Sequence, residues 1–104
     1  MLEGTYRTNL VKRLKKEFPG IIILHGNANQ LQGISDLVLL YKSRYAMLET
    51  KMASNSSKRP NQEYYINYFK NQGAYAAFVC KSNEEEIINE LGRYFKTRRA
   101  TRIS

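Results

Sequence analysis

The sequence predicts an α/β domain of order αβββαβα, with a mixed four-stranded sheet flanked by helices. Three observations carry this. From Leu2 to Phe18 the apolar residues recur at three- and four-residue steps. Short runs of strand-forming residues then follow at Ile21, Asp36 and Tyr45 with no helical pattern between them. A last run, Ala74 to Cys80, lies between two further helical patterns. Three strands in succession make a meander, and the helix before the fourth strand carries the chain across, so that the fourth runs parallel to the third.

Each element has a local cause. In the first helix Tyr6, Leu10, Val11, Leu14 and Phe18 form the apolar stripe, with Lys12, Arg13, Lys15 and Lys16 on the outer face. Pro19-Gly20 stops it, and the β-branched "IIILH" makes the first strand. "GNANQLQG" is a polar loop. "DLVLLY" and "YAMLETK" are two strands joined around Lys42 to Arg44 as an antiparallel hairpin. "MASNSSKRPNQ" turns abruptly small, polar and basic, a surface loop that ends at Pro60 with Asn61 as helix cap. The second helix runs from Gln62 to about Gln72, buries Tyr65, Ile66 and Phe69, and stops at Gly73. The third helix, "SNEEEIINELGRYF", opens with a capping box, Ser82 with Glu85 or Asn83 with Glu86, and buries Ile87, Ile88, Leu91 and Phe95. Residues 1–97 thus make one domain, and 98–104 a basic tail.

Composition bounds the function. The chain has 104 residues, 17 Lys plus Arg against 9 Asp plus Glu, and a formal net charge of +8. Such a balance favours polyanions, nucleic acid first, because neutralising phosphates releases condensed counterions. One cysteine, Cys80, and one histidine, His25, exclude an internal disulfide framework and a Cys/His zinc cluster. No apolar run reaches the roughly 18 residues of a membrane span, and no signal-like segment opens the chain, so the expected location is the cytoplasm, with no membrane partner. Any catalysis must be carried by carboxylates and lysine.

Those residues are concentrated in the hairpin. Along "YAMLETK" the side chains alternate, so that Tyr45, Met47, Glu49 and Lys51 share one face and Ala46, Leu48 and Thr50 the other. Asp36 opens the preceding antiparallel strand and therefore lies near the end of this one. Glu3, seven residues before Leu10, points to the same face of the first helix as that leucine. Clustered carboxylates repel one another and resist desolvation, which a hard divalent cation such as Mg²⁺ relieves. Such a cation activates water against a phosphodiester, and a nearby lysine stabilises the developing charge. Blander accounts exist for each residue. Glu49 and Lys51 also fit a solvated cross-strand ion pair, Asp36 a strand start after a turn, Glu3 a first-turn acid or a partner of Arg7, and Gln62 a surface residue at a helix start.

Asp36 followed by Glu49-Thr50-Lys51 on adjacent strands resembles the PD-(D/E)XK nuclease superfamily, the restriction-endonuclease-like core of order αβββαβα. More narrowly, "LKKEFPG", "QGISDLVLLY", "YAMLETK" and "RPNQEYY" in this order resemble the VRR-NUC family, from Glu3 to about Leu91. The resemblance implies that Asp36 and Glu49 ligate Mg²⁺ or Mn²⁺ together with Glu3 and the backbone carbonyl of Thr50. It assigns catalysis to Asp36, Glu49 and Lys51, with Gln62 as the family's helix glutamine. It further implies a Holliday-junction-resolvase-like homodimer, as in stand-alone phage members, cutting branched DNA. Where the family usually has proline before the aspartate this chain has Ser35, which removes no ligand.

The expectation is therefore a metal-dependent DNA endonuclease acting on four-way junctions. Lys12, Lys16, Lys58, Arg59, Arg98 and Arg99 would hold phosphates without reading sequence. The first helix and the "GNANQLQG" loop are the candidate dimer surfaces. Two rivals stand beside this reading. One is a flap or duplex nuclease of the same fold. The other is a basic DNA-binding module in which the acids and the lysine are structural ions.

Overall fold

The computed structural model describes residues 3–26, 35–52 and 60–96, with Glu3 and Pro60 as backbone only. Its elements are α1 (Glu3–Glu17), β1 (Ile22–His25), β2 (Leu37–Tyr41), β3 (Arg44–Thr50), α2 (Pro60–Asn71), β4 (Tyr75–Val79) and α3 (Glu84–Lys96). The order is the predicted αβββαβα. The strands lie side by side as β1-β2-β3-β4. The first three are antiparallel, and β4 runs parallel to β3 in the register Glu49↔Phe78 and Thr50↔Val79.

The two faces of the sheet are covered unequally. On one, Leu37, Leu39, Ala46, Leu48 and Val79 pack against Tyr6, Leu10, Leu14 and Phe18 of α1 and its exit and against Ile87, Ile88, Leu91 and Phe95 of α3. The rings of Phe18, Tyr41 and Phe95 close this core at one end, with centroids 5.2–5.7 Å apart. The other face holds a smaller cluster, Met47, Ile66 and Ala76, with Val38, Phe69 and Phe78 partly buried around it. Among the described residues one helix, α2, covers that face.

The helix ends follow from backbone chemistry. Gly73 has φ 94°, the left-handed conformation that closes a helix at little cost to glycine. Its N–H donates to the Lys70 carbonyl, and the next N–H, of Ala74, donates to that of Phe69, both at 3.0 Å. At the other end α2 starts at Pro60, so Asn61 lies inside the helix and not at its cap. Proline suits the first helical position because the N–H it lacks would have no helical partner. At α3 the capping box is replaced by a different use of Asn83. Its carbonyl accepts from Ile87 at 3.0 Å as a cap residue's should, but its side chain accepts from the Cys80 N–H at 2.8 Å and donates to the Phe78 carbonyl at 3.1 Å. Asn83 thus pairs the end of the edge strand β4 as a neighbouring strand would.

Arg13 was predicted on the solvated basic face of α1 and instead ties that helix to α3. It donates to Glu84 at 2.8 Å and to Glu85 at 2.7 Å, while the Tyr6 hydroxyl donates to Glu84 at 2.8 Å. Burial and the Glu84 carboxylate push the Tyr6 phenol well above its ordinary range.

The β2–β3 turn is Lys42-Ser43, with φ of 52° and 68°. Two positive φ values match the strand twist, yet neither residue is glycine or asparagine, so the turn is strained. The Lys42→Asn/Ser43→Gly double variant should stabilise the domain by about 1 kcal/mol, read as a higher urea midpoint.

Candidate functional site

The antiparallel register brings the start of β2 to the end of β3, Leu37 opposite Leu48, and so sets Asp36 beside Glu49 and Thr50. The Asp36 N–H donates to Glu49 Oε1 at 3.0 Å. In return the Thr50 N–H donates to Asp36 Oδ2 at 3.0 Å, and the Thr50 hydroxyl donates to the same oxygen. Asp36 and Glu49 are thereby locked by each other's neighbourhood. The predicted alternation holds, since Met47 and Glu49 face α2 while Leu48 lies in the larger core.

Glu49 is only 4% exposed. A buried carboxylate needs donors, and one comes from α2. Gln62 Nε2 donates to Glu49 Oε2 at 2.7 Å, and Lys51 Nζ donates to Gln62 Oε1 at 2.7 Å. Gln62 therefore stands between the acid and the lysine, its carbonyl turned to one and its amide to the other. Lys51 Nζ also lies 5.8 Å from the centre of the Phe78 ring, and its backbone N–H donates to Val79 at 2.8 Å, which fixes the end of β3 against β4. The result is a continuous chain of polar contacts, Lys51 to Gln62 to Glu49 to Asp36 to Thr50, at one end of the sheet.

One residue and one side-chain group that sequence reasoning passed over complete the surroundings. Arg7, considered in the sequence only as a partner for Glu3, brings its Nε to 3.9 Å from Asp36 Oδ2. That Nε is buried and has no hydrogen-bond partner among the described residues. A signal for it exists: Arg7, Val11, Leu14 and Phe18 lie on one helical stripe, so a cation interrupts an otherwise apolar face. The Thr50 hydroxyl is the other. Thr50 was expected on the face of β3 shared with Ala46 and Leu48, with its backbone carbonyl as the metal ligand; it is fully buried there, and its hydroxyl reaches the Asp36 carboxylate.

Other predicted residues are not gathered here. The side chain of Glu3, and Lys58, Arg59, Arg98 and Arg99, lie outside the described residues. Lys12 and Lys16 are exposed on α1, five and nine residues beyond Arg7, and at about 1.5 Å per residue they stand well along the helix from Asp36. Among the described residues no group of three or more His, Cys, Asp or Glu side chains is placed to hold a metal. Asp36 and Glu49 are a pair.

Ser35 is 1% exposed, and its hydroxyl is buried without a hydrogen-bond partner among the described residues. Such a hydroxyl costs stability. Ser35→Ala should therefore raise the unfolding free energy by about 1 kcal/mol in urea denaturation, without altering the Asp36–Glu49 contact.

No family model matches the sequence, nor does any curated protein. A solved structure described as a "VRR_NUC domain protein" superposes with a TM-score of 0.68 over 92% of this chain and 89% of its own, at 21% identity. The chain has the VRR_NUC domain fold. Its mixed four-stranded sheet flanked by three helices is a PD-(D/E)XK-like fold, and within it the β2–β3 register is what brings Asp36 and Glu49 together at adjoining strand ends. Among the described residues no helix is long and apolar enough to cross a membrane.

Proposed function

We propose that the chain is a metal-dependent DNA endonuclease of the VRR-NUC family that cuts four-way junctions in the cytoplasm. The observation that carries the reading is the chain of polar contacts from Lys51 through Gln62 to Glu49 and Asp36. A surface ion pair would join acid and lysine loosely in solvent, whereas here a 4%-exposed carboxylate is held in place by an amide that also aims the lysine.

The donors present fit a hard divalent cation. Asp36 and Glu49 supply adjacent carboxylate oxygens at the strand ends, with the Thr50 carbonyl and Glu3 as further oxygen donors. Mg²⁺ or Mn²⁺ held there supplies charge neutralisation and a water of lowered pKa. The remaining work belongs to the chain. Thr50 and the Asp36 N–H fix the two acids, and Gln62 fixes the angle between Glu49 and Lys51. Lys51 presents its ammonium to the phosphate oxygens as charge builds on them. Arg7, beside Asp36, offers a guanidinium to the adjoining phosphate. Lys12, Lys16, Lys58, Arg59, Arg98 and Arg99 add contacts to the DNA backbone, in keeping with the net charge of +8. Two copies related by a two-fold axis would meet the two symmetric strands of a junction.

The test is cleavage of labelled four-way junction, flap, duplex and single strand with Mg²⁺, Mn²⁺ or EDTA. Metal-dependent junction cutting is expected. Cutting confined to flap or duplex would keep the chemistry and replace the substrate. Tight binding with no cutting in either metal would overturn the enzyme reading in favour of a basic DNA-binding module.

A further inference from the structure

The sheet face served by α2 is half bare. Ile22 pairs across to Leu40 and Leu40 to Tyr45, so the three form a row across β1, β2 and β3. Leu24 follows in the next row, opposite Val38. Ile22 is 56% exposed, Leu24 50%, Leu40 36% and Tyr45 38%. Aliphatic side chains on a sheet face ordinarily lie under a second layer, and α2 covers only the β3–β4 side. The apolar surface does not stop at the sheet. The Tyr45 ring stands 6.3 Å from that of Phe69, Phe69 is 5.2 Å from Tyr68, and Tyr68 stacks at 6.3 Å on Tyr64. Tyr64 and Tyr68 are themselves 60% and 44% exposed. One belt therefore runs from bare sheet to the flank of α2, and a groove of about 600 Å³ lies along it, lined by Ile22, Leu40 and Tyr45 and also by Lys42 and Arg44 of the hairpin turn.

We infer that this belt is the contact surface for a second copy of the chain, the exposed tyrosine flank of each α2 lying on the bare β1–β2 half of the other. Two arguments select that occupant. The first is self-complementarity: among the described residues there is both a sheet half without a covering helix and a helix flank without a sheet against it, and a two-fold axis satisfies both at once. The second is area. At about 100 Å² of exposed surface for each of the six residues, the belt offers about 600 Å², the upper end of what monomers expose and most of the roughly 800 Å² per partner in a stable interface. A phosphate backbone would gain nothing from Ile22 and Leu24. Of the two dimer surfaces expected from sequence, the first helix has its apolar stripe in the core and presents lysines outward, and the "GNANQLQG" loop beyond Gly26 lies outside the described residues.

This inference gives the two-copy part of the proposed function a surface. Its evidence is burial, so it stands or falls apart from the chemistry. The test is sedimentation equilibrium of the full chain from 1 to 100 µM without DNA or metal. Wild type and the α1 control Lys16→Glu should be dimers. Leu24→Glu and Tyr68→Glu, one on each half of the belt, should each weaken dimerisation at least 100-fold. Both sites are exposed, so the far-UV circular dichroism of the monomeric variants should match wild type, and their urea unfolding should stay cooperative with a midpoint lowered only by the lost association. A wild-type monomer at 100 µM overturns the inference, and so does a dimer that survives both substitutions. A nuclease that fails to cut leaves these outcomes unchanged, and a cutting monomer would sink the surface while keeping the enzyme.

Discussion

Lys51→Ala should lower the single-turnover rate of phosphodiester cleavage by about 10²–10³-fold while the domain stays folded and binds DNA nearly as well as wild type. The asymmetry follows from where the ammonium is held. Lys51 Nζ is fixed by Gln62 at 2.7 Å, and Gln62 is in turn fixed by Glu49 at 2.7 Å, so the lysine is preorganised beside the carboxylates and loses little freedom when charge develops on the phosphate. Its ground-state contribution is one cation among 17 lysines and arginines, so binding should change little. Folding should survive because Lys51 lies just past the end of β3 and Gln62 keeps its bond to Glu49. Gln62→Ala is the informative companion. It removes the Gln62 contact from Lys51 and a donor from a buried carboxylate, so it should cost about 10-fold in rate and about 1–2 kcal/mol in stability. Cleavage by Lys51→Ala within threefold of wild type would remove the lysine from the chemistry.

The largest stability effect expected anywhere on β3 is at Leu48, and its neighbour Met47 supplies the contrast. Leu48 is 0% exposed in the centre of the larger core, between α1 and α3, where rigid packing on every side prevents collapse into a void. Leu48→Ala should cost about 3–4 kcal/mol, a large share of the 5–15 kcal/mol typical of a whole domain, and lower Tm by about 15 °C. Met47 is adjacent in sequence and 7% exposed, but it faces the smaller cluster under α2. Met47→Ala should cost about 2 kcal/mol, because a single helix over that face can settle inward. Equal costs in urea denaturation at the two positions would mean that both faces are packed as one, against the unequal layers described above.

The fold was legible because its signals are short in range. A helix repeats its apolar residues every three to four positions and a strand every two, so α1, α3 and the β2–β3 hairpin declare themselves within a dozen residues each. The parallel pairing of β3 with β4 followed from connectivity, since one helix between two strands leaves few ways back to the sheet. The acids were legible for the same reason: alternation puts Glu49 on one face, and hairpin pairing puts Asp36 beside it.

What sequence left open depends on contacts between residues far apart in the chain. Nothing local to Arg7 announces Asp36, 29 positions away, as its counter-ion. A capping box and an edge-strand clamp ask for the same asparagine, and only the position of β4 decided that Asn83 serves the strand. From its neighbours alone Gln62 read as a helix-start residue, and only the family resemblance named it for the site; the packing of α2 over β3 made it the link between Glu49 and Lys51. The bare half of the sheet is the largest omission. A hydrophobic pattern records that Ile22, Leu24 and Leu40 prefer burial, but the coverage of a sheet face is set by where the helices land. The sequence determined which residues seek the dry side of each element, because that preference is written residue by residue in side-chain chemistry. Only the tertiary structure decided which of them find it within one chain, because burial is a property of the layer above.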